Sequence, residues 1–395
     1  MFAQKYLLKQ EKKPLLVLPP KAGTKMIVVI PCFNEPDIAE TLQSLASCTS
    51  PPFPVEVLVV INHSENESEE IKHYNRKTLL AVQKLIKETT TRNITFYVVG
   101  PVELRKKWAG AGLARKTGMD EAVLRFNTLG NPEGIIVSLD ADTWVEQNYF
   151  IEIEKYFREN SAKVGATISF RHRTAGLTKK HLQGIQLYEK YLWYYKYAVQ
   201  FTGYPYSMFT VGSAFAVTAE AYVKRGGMNR RQAGEDFYFL QHLAQLGPVG
   251  EISTTTVFPS ARLSDRVPFG TGPILKKWME GTEDLRQTYN FESLVELKEF
   301  FDVREKFFKV SSERYNEIIS KLPGAVSEFL KHDNFWQELN DVNNNCANQQ
   351  TFQTRFFQKF NAFKILKYLN FVHERYFKKV NLDEQILLLN QNYLQ

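Results

Sequence analysis

The run Ile135-Ile136-Val137-Ser138-Leu139 ends abruptly in Asp140-Ala141-Asp142, and this stretch narrows the possible folds more than any other. Its β-branched residues suit a pleated surface and no charge interrupts them, so it reads as a buried strand. In open α/β sheets, ligands bind beyond the carboxyl ends of the strands, which is where Asp140 and Asp142 fall. Two carboxylates at this spacing can share a hard cation, and magnesium is commonly held by one or two carboxylates together with substrate phosphates. Acidic residues also follow strands simply as turn formers or helix caps, so the pair alone leaves both readings open.

The neighbouring segments set the fold class. Residues 25–30 read as a strand stopped by Pro31, followed by a helix over residues 38–46 that Asp37 can cap. Strands are expected over 55–61 and 94–99, with a polar loop at 62–68 and a long helix to about residue 88 between them. A helix over 110–125 leads into the strand at 135. Further strands are expected at 164–170 and 215–217, and Gly234-Glu235-Asp236 opens a helix. Strands alternating with helices predict a mostly parallel α/β sheet. Residues 1–24 read as a basic arm, 25–275 as the main domain, and 276–395, where glycine becomes sparse, as a helical C-terminal region.

Composition narrows the ligand. The chain of 395 residues is 44% hydrophobic and 24% charged, ordinary for a globular protein with a sizeable core. A formal charge of +7 and a pI of about 9.0 suit a nucleotide, another anionic ligand or an acidic membrane surface. No RNA-binding aromatic motif or zinc finger accompanies that charge, so no nucleic-acid partner is expected. Cys32, Cys48 and Cys346 are odd in number and far apart, against a disulfide framework or a cysteine zinc site. A reduced, cytoplasmic setting follows. The apolar patch at 15–18 is too short for a signal peptide. The uncharged stretch 197–219 contains Gln200, Thr202, Gly203 and Pro205 and makes a poor membrane span.

Two aromatic segments have a plain and a sharper reading. Tyr188, Tyr191, Trp193, Tyr194, Tyr195 and Tyr197 read first as core and second as a surface on which sugars stack. Phe352, Phe356, Phe360, Phe363, Leu366 and Leu369 recur at helical spacing among Arg355, Lys359, Lys364 and Lys367. A packed bundle with solvated lysines is the plainer expectation. The sharper one is a basic amphipathic helix resting on an anionic membrane, which would give the protein a peripheral place at the inner face of the membrane.

Pro31-x-x-Asn34-Glu35, Ala114-Arg115, Asp140-x-Asp142 (a DxD motif), Gly226-Gly227-Met228 and Glu235-Asp236 follow one another in an order that resembles the family 2 glycosyltransferases of GT-A fold. The resemblance covers residues 26 to about 275. It implies a GT-A-type nucleotide-diphospho-sugar transferase fold with a helical appendage. It also implies an inverting, metal-dependent hexosyltransferase that moves a sugar from a nucleotide-diphosphate donor to an acceptor hydroxyl in cell-surface glycan or glycolipid synthesis. The acceptor would be a glycan, a lipid-linked or another hydroxyl. By this resemblance Asp142 holds Mg²⁺ or Mn²⁺ against the donor diphosphate, where a cation would offset developing charge. Asp140 approaches the donor's ribose or sugar, Asp236 is the base that an acceptor hydroxyl needs, and Glu235 orients Asp236 or the acceptor.

Pro31, Asn34, Glu35, Asn62 and Arg115 fall at donor positions, with Arg115 placed either to reach the diphosphate or to support Asp140. Asn62 stands where the family usually has aspartate and brings hydrogen bonds without charge; a UDP-linked donor remains the expectation. Residues 260–272 combine Arg262 and Arg266 with Gly270 and Gly272. Arginine suits phosphate recognition, so a donor-phosphate loop is favoured over an ordinary connection. Gly110-Ala111-Gly112 begins like a dinucleotide fingerprint, but arginine holds the third glycine position. Two other functions compete. A sugar-nucleotide pyrophosphorylase needs a Gly-rich basic N-terminal loop, which Pro31-Cys32-Phe33-Asn34-Glu35 is not. A catalytically silent sugar-nucleotide or glycan-binding protein, with the helical tail as a docking module, is opposed by the intact acidic residues.

Overall fold

The apolar runs become the strands of one eight-stranded sheet in the computed structural model, which describes residues 1–232, 234–265 and 270–393. The strands are β1 (Met26–Cys32), β2 (Val55–Ser64), β3 (Ile94–Leu104), β4 (Ile135–Ser138), β5 (Trp144–Val145), β6 (Gly165–Phe170), β7 (Phe215–Thr218) and β8 (Val249–Phe258). Their order is β3-β2-β1-β4-β7-β6-β8-β5. The pairs β3-β2, β2-β1, β1-β4 and β6-β8 are parallel, and β4-β7, β7-β6 and β8-β5 antiparallel. The expected mostly parallel α/β sheet is therefore present. Pro31, which has no N–H to donate, lies in β1 beyond Val29, the last residue that β4 pairs.

The chain forms two compact units. Met1–Leu177 with Thr210–Lys276 make the sheet unit, and Thr178–Phe209 with Lys277–Gln395 the helical one. In the sheet unit, helices α1 (Gln4–Lys9), α2 (Ile38–Ala46), α3 (Glu69–Glu88), α4 (Ala111–Leu129) and α5 (Tyr149–Glu159) are joined by shorter helices Ala219–Arg225 and Glu235–Leu243. Side chains alternate between the two faces of a strand. Val28 and Ile30 join Ile38, Leu42 and Val82 in one core cluster on α2 and α3. Val29 and Val60 face the other way, onto α4. There a Cβ on Gly118 would stand 2.4 Å from Val29 Cγ1 and 3.0 Å from Val60 Cγ2, so glycine allows the helix to sit close on the sheet. Asp37 occupies the N-cap position of α2 without a capping hydrogen bond from its side chain.

Helix α4 buries charge as well as apolar surface: Arg115, Lys116, Asp120, Glu121 and Arg125 are all buried. Buried charge is tolerated only when paired, and the N-terminal arm supplies many of the partners. Tyr6 donates to Asp120 at 2.6 Å, Leu15 N–H to Glu121 at 2.9 Å and Lys21 N–H to Glu56 at 3.1 Å. Arg125 binds Glu56 through two nitrogens at 2.5 and 2.8 Å and donates to the carbonyl of Leu18. Residues 1–24 are thus a strap along α4.

The helical unit contains Lys179–Phe201, Phe291–Asp302, Ser312–Ile319, Gly324–His332, Phe335–Asn344, Gln349–Lys359, Ala362–Arg375 and Leu382–Tyr393. Its core is phenylalanine. Phe300, Phe301, Phe307, Phe329, Phe335, Phe356 and Phe360 are fully buried, and the Phe300 ring lies 5.2 Å from Phe360 and 5.6 Å from Phe356. Much of the apolar face at 352–369 packs inside this unit: Phe352, Ile365 and Leu369 are fully buried too, and Phe363 and Leu366 are half-buried. Among its cations, Lys359 pairs with Asp341, Lys364 with Asp333 and Glu338, and Lys367 with Asp333. Among the described residues, no helix is long and apolar enough to cross a membrane. On Lys179–Phe201, Tyr194 is buried, with its hydroxyl donating to Tyr289 O, whereas Tyr191, Trp193, Tyr195 and Tyr197 are half-buried.

Candidate active site

Six strands, β1, β2, β3, β4, β6 and β8, point the same way. Their carboxyl ends share one edge of the sheet, where open α/β sheets place ligands. The reversed strand β7 brings its amino end, with Gly212 and Ser213 before it, to the same edge.

Arg115 lies just inside the start of α4, and its guanidinium is 3% exposed. It reaches Asp140 at 2.9 Å, Glu235 at 3.1 Å, the carbonyl of Gly212 at 3.0 Å, and Ser138 Oγ. Ser138 in turn donates to Gly212 O at 2.6 Å. One arginine thereby ties the end of β4, the entry to β7 and the Glu235–Leu243 helix together. A Cβ on Gly212 would stand 2.8 Å from Arg115 Nη2 and 3.3 Å from Asp236 Oδ2. Arg115 therefore supports Asp140, one of the two roles expected of it, and Glu235 as well. Burial alone would lower its pKa, but Asp140 and Glu235 more than offset that and hold it charged.

Glu235 and Asp236 open their helix after Gly234, whose φ of 68° is left-handed and suits glycine. Glu235 is buried, locked to Arg115, and its backbone carbonyl accepts from Asn229 Nδ2 at 3.1 Å. Asp236 is half-buried, and its Oδ1 accepts from Phe237 N–H at 2.7 Å. Burial, then the charge of Glu235, push the Asp236 carboxyl up to about 7 against the opposing pull of Arg115. A carboxylate tuned this close to neutrality can take a proton from a hydroxyl and release it again.

The other side of the edge is arginine-rich. Both Glu35 oxygens are held by Arg262, one at 2.6 Å, and Arg262 also reaches Asp142 at 3.0 Å and Asp37 at 3.7 Å. Arg262 and Glu35, both expected to touch donor, here bind each other. Burial raises the Glu35 carboxyl, with Arg262 pulling the other way. Burial and the neighbouring Asp140 push Asp142 up to about 7, opposed by Arg262. Arg173, at the end of β6, is not among the expected site residues. It pairs with Asp37 at 3.5 Å and Glu40 at 3.1 Å, donates to Asp142 O at 3.0 Å, and stacks 4.3 Å from the Trp144 ring centre. Its signal in the sequence is the Arg171-His172-Arg173 triplet closing a strand. Arg266 lies outside the described residues.

The nucleotide-pocket expectations meet a backbone network. Asn62 is buried, and its amide nitrogen donates to Cys32 O at 3.1 Å and Val60 O at 3.2 Å. Asn75, unremarked in the sequence, donates to Asn62 O at 2.9 Å and accepts from Asn34 N–H at 3.0 Å. Asn34 itself has a left-handed φ of 45°. The Asn62 amide nitrogen is thus engaged in joining β1 to β2, and Asn75 holds the turn after β1. The strand β2 runs on to Ser64, through what reads in sequence as the start of a loop.

Among the described residues no group of three histidine, cysteine or acidic side chains could hold a metal by itself. Asp142 fits a cation only as one carboxylate whose remaining ligands come from elsewhere, as substrate phosphates do for magnesium. The cationic Arg262 beside it shows that a positive charge is stabilised at that place.

No curated protein matches the sequence. Among solved structures, S. aureus TarS 1-349 in complex with UDP-GlcNAc aligns over 85% of this chain and 91% of that one, with 12% identity and a TM-score of 0.42. The mannosyltransferase PcManGT from Pyrobaculum calidifontis, in complex with GDP-Man and Mn2+, aligns over 91% and 92% with 14% identity and a TM-score of 0.38. These likenesses are too loose to assign a donor or a metal. Residues 135–297, which carry Asp140, Asp142, Glu235, Asp236 and Arg262, match the family model described as Glycosyl transferase family group 2.

Proposed function

We propose that the protein is an inverting glycosyltransferase that moves a sugar from a nucleotide-diphosphate donor, UDP-linked, to an acceptor hydroxyl in glycan or glycolipid synthesis. The observation that carries this reading is the junction at Arg115, whose buried guanidinium holds both the strand-end carboxylate Asp140 and the helix-start carboxylate Glu235 beside Asp236.

Asp236 accepts the proton of the acceptor hydroxyl as that oxygen attacks the anomeric carbon, and the nucleoside diphosphate leaves from the opposite face. Glu235, immobilised by Arg115, fixes the helix start and so the direction of the Asp236 carboxylate. Asp140 faces the donor, held by the same guanidinium. Arg262 and Arg173 stand where donor phosphates would enter, and either can exchange a carboxylate partner for a phosphate oxygen. Asp142 would hold a divalent cation, Mg²⁺ or Mn²⁺, which when bound supplies charge compensation for the departing diphosphate. A cytoplasmic setting suits the three unpaired, buried cysteines.

The test is hydrolysis and transfer with a panel of UDP-, GDP- and dTDP-sugars, with Mn²⁺, with Mg²⁺ and with chelator. Release of UDP only from UDP-sugars, dependent on cation and abolished by Asp236→Asn, is the expected result. Tight nucleotide binding without turnover for any donor would favour a silent binding protein.

A further inference from the structure

Several surface cations here have a nearby acid. Lys190, Arg314, Lys321, Lys359 and Lys367 each pair with one within 3.0 Å. Five cations beside the candidate base do not. Arg105, Lys106 and Lys107 follow β3 at the carboxyl edge, and Arg230 and Arg231 precede the Glu235–Leu243 helix. All five are exposed, and none makes an ion pair with a described residue.

The two segments are built against each other. A Cβ on Gly110 would stand 2.7 Å from Gln232 O, and one on Gly112 2.1 Å from Arg231 O and 2.9 Å from Glu235 Cβ. Lys107 and Arg230 both lie over the Trp108 ring, each 5.3 Å from its centre, and Arg231 stacks on Tyr238 at 3.4 Å. Arg231 N–H donates to Asn229 Oδ1 at 3.0 Å, and the Asn229 amide holds the carbonyl of Glu235. Glu65 accepts the backbone N–H of Lys106 at 2.9 Å. Aromatic stacking thus holds three cations while leaving their hydrogen-bond donors unused, which suits an anion that arrives from outside.

We propose that the acceptor carries a phosphate group close to the hydroxyl that is glycosylated, and that Lys107, Arg230 and Arg231 bind it. This rests on Asp236 being the acceptor's base: the acceptor must lie within hydrogen-bond reach of that carboxylate, which follows Arg231 by five residues. A tetrahedral phosphate offers oxygens to two guanidiniums and an ammonium at once, which a planar carboxylate does less well. A phosphodiester-linked polyol and a lipid headgroup share this chemistry, and the experiment separates them.

The experiment measures binding of the full chain to three probes: a fluorescent glycerol-phosphate oligomer, phosphatidylglycerol–phosphatidylcholine vesicles with pure phosphatidylcholine as control, and a single-stranded oligonucleotide. The variant is Lys107→Glu/Arg230→Glu/Arg231→Glu, set against Lys77→Glu/Lys84→Glu/Lys87→Glu on α3, which changes net charge equally. The rim variant should lose about tenfold or more in affinity for one phosphate probe, the scale of one lost charge-assisted hydrogen bond, while the α3 variant keeps most of it. Loss in the oligomer arm identifies a soluble phosphodiester, and loss in the vesicle arm a headgroup. Circular dichroism and the unfolding midpoint separate loss of binding from loss of fold.

Equal losses in both variants, no binding to either phosphate probe, preferential binding of the oligonucleotide, or an equal loss of UDP binding in the rim variant would each overturn the proposal. Donor hydrolysis by the wild-type protein is read in parallel. If it is absent while the rim still binds phosphate, the transferase reading has failed; if it is present and phosphate does not bind, this inference has failed.

Discussion

Replacing Arg115 by methionine should unfold the site before it disables it. The guanidinium is 3% exposed and its partner Glu235 5%, whereas Asp140 is 38% exposed. Water can resolvate Asp140 after the change, so that half of the interaction is discounted for screening. Glu235 has no such relief, because its side chain would be left charged in a closed site. Removing one partner of a buried pair costs about 3–5 kcal/mol. Ser138 Oγ and Gly212 O also lose a donor, but they still bond each other at 2.6 Å, so little is added. At about 2–4 °C per kcal/mol for a unit of this size, the unfolding midpoint should fall by roughly 6–20 °C. The double variant Arg115→Met/Glu235→Gln removes the stranded charge and should recover more than half of the loss, which a double-mutant cycle in urea reads directly. If the single variant costs less than about 1 kcal/mol, the typical worth of an exposed pair, or if the second substitution recovers nothing, then Arg115 is not the buried tie described above.

Four further outcomes are expected. With Asp236 raised to about 7, the base-active form is the deprotonated one, so kcat/KM for transfer should fall tenfold per pH unit below about 7 and level off above it; a flat profile from pH 5 to 8 would remove Asp236 as the base. Asp236→Asn should abolish transfer while leaving UDP affinity within about threefold, and Asp142→Ala should cost nucleotide affinity only when Mn²⁺ is present, both read by calorimetry with and without chelator. Arg262→Ala leaves Glu35 buried without its guanidinium, so donor KM should rise more than tenfold, with a lower unfolding midpoint that Glu35→Gln partly restores. Removing residues 1–16 takes Tyr6 from Asp120 and two amides from Glu121; at about 1–3 kcal/mol per buried group left short of partners, the truncated chain should melt measurably lower, and an unchanged midpoint would mean the strap is dispensable.

The sequence carried the strand-end carboxylates, the helix-start pair and the alternation that makes the sheet, because each is local: a β-branched run, a cap, a period. It did not carry pairings across hundreds of residues. Glu35 and Arg262 each looked like a donor contact, yet they are 227 positions apart and bind one another. Asn75 lies in a helix whose pattern gives no hint of the backbone groups it meets. Strand β8 escaped a pattern reading because its Ser253-Thr254-Thr255-Thr256 centre breaks the apolar alternation that marks a strand. The phenylalanine repeat at 352–360 could be read as core or as membrane face, and only the acids at 333, 338 and 341, from other helices, decide that its lysines are spoken for.

The arrangement of charge at the carboxyl edge explains why a donor would need more than a preformed pocket. On the Asp142 side, Glu35, Asp37 and Asp142 pair with Arg262 and Arg173, with the exposed Glu40 beyond. That side is crowded with negative charge before any ligand arrives, which is the same crowding that helps lift Asp142 to about 7. A nucleotide-sugar diphosphate adds further negative charge. If Arg262 turns to the phosphates, the buried Glu35 loses its guanidinium; if it stays, the phosphates face Asp142 with little compensation. Under the proposed function, Asp142 would hold a divalent cation, which would supply positive charge against that of the carboxylate and the diphosphate. Cation and donor should therefore bind with positive coupling, each raising the other's affinity by the same factor. A protein whose nucleotide affinity did not respond to Mn²⁺ would have to balance that charge with arginines alone.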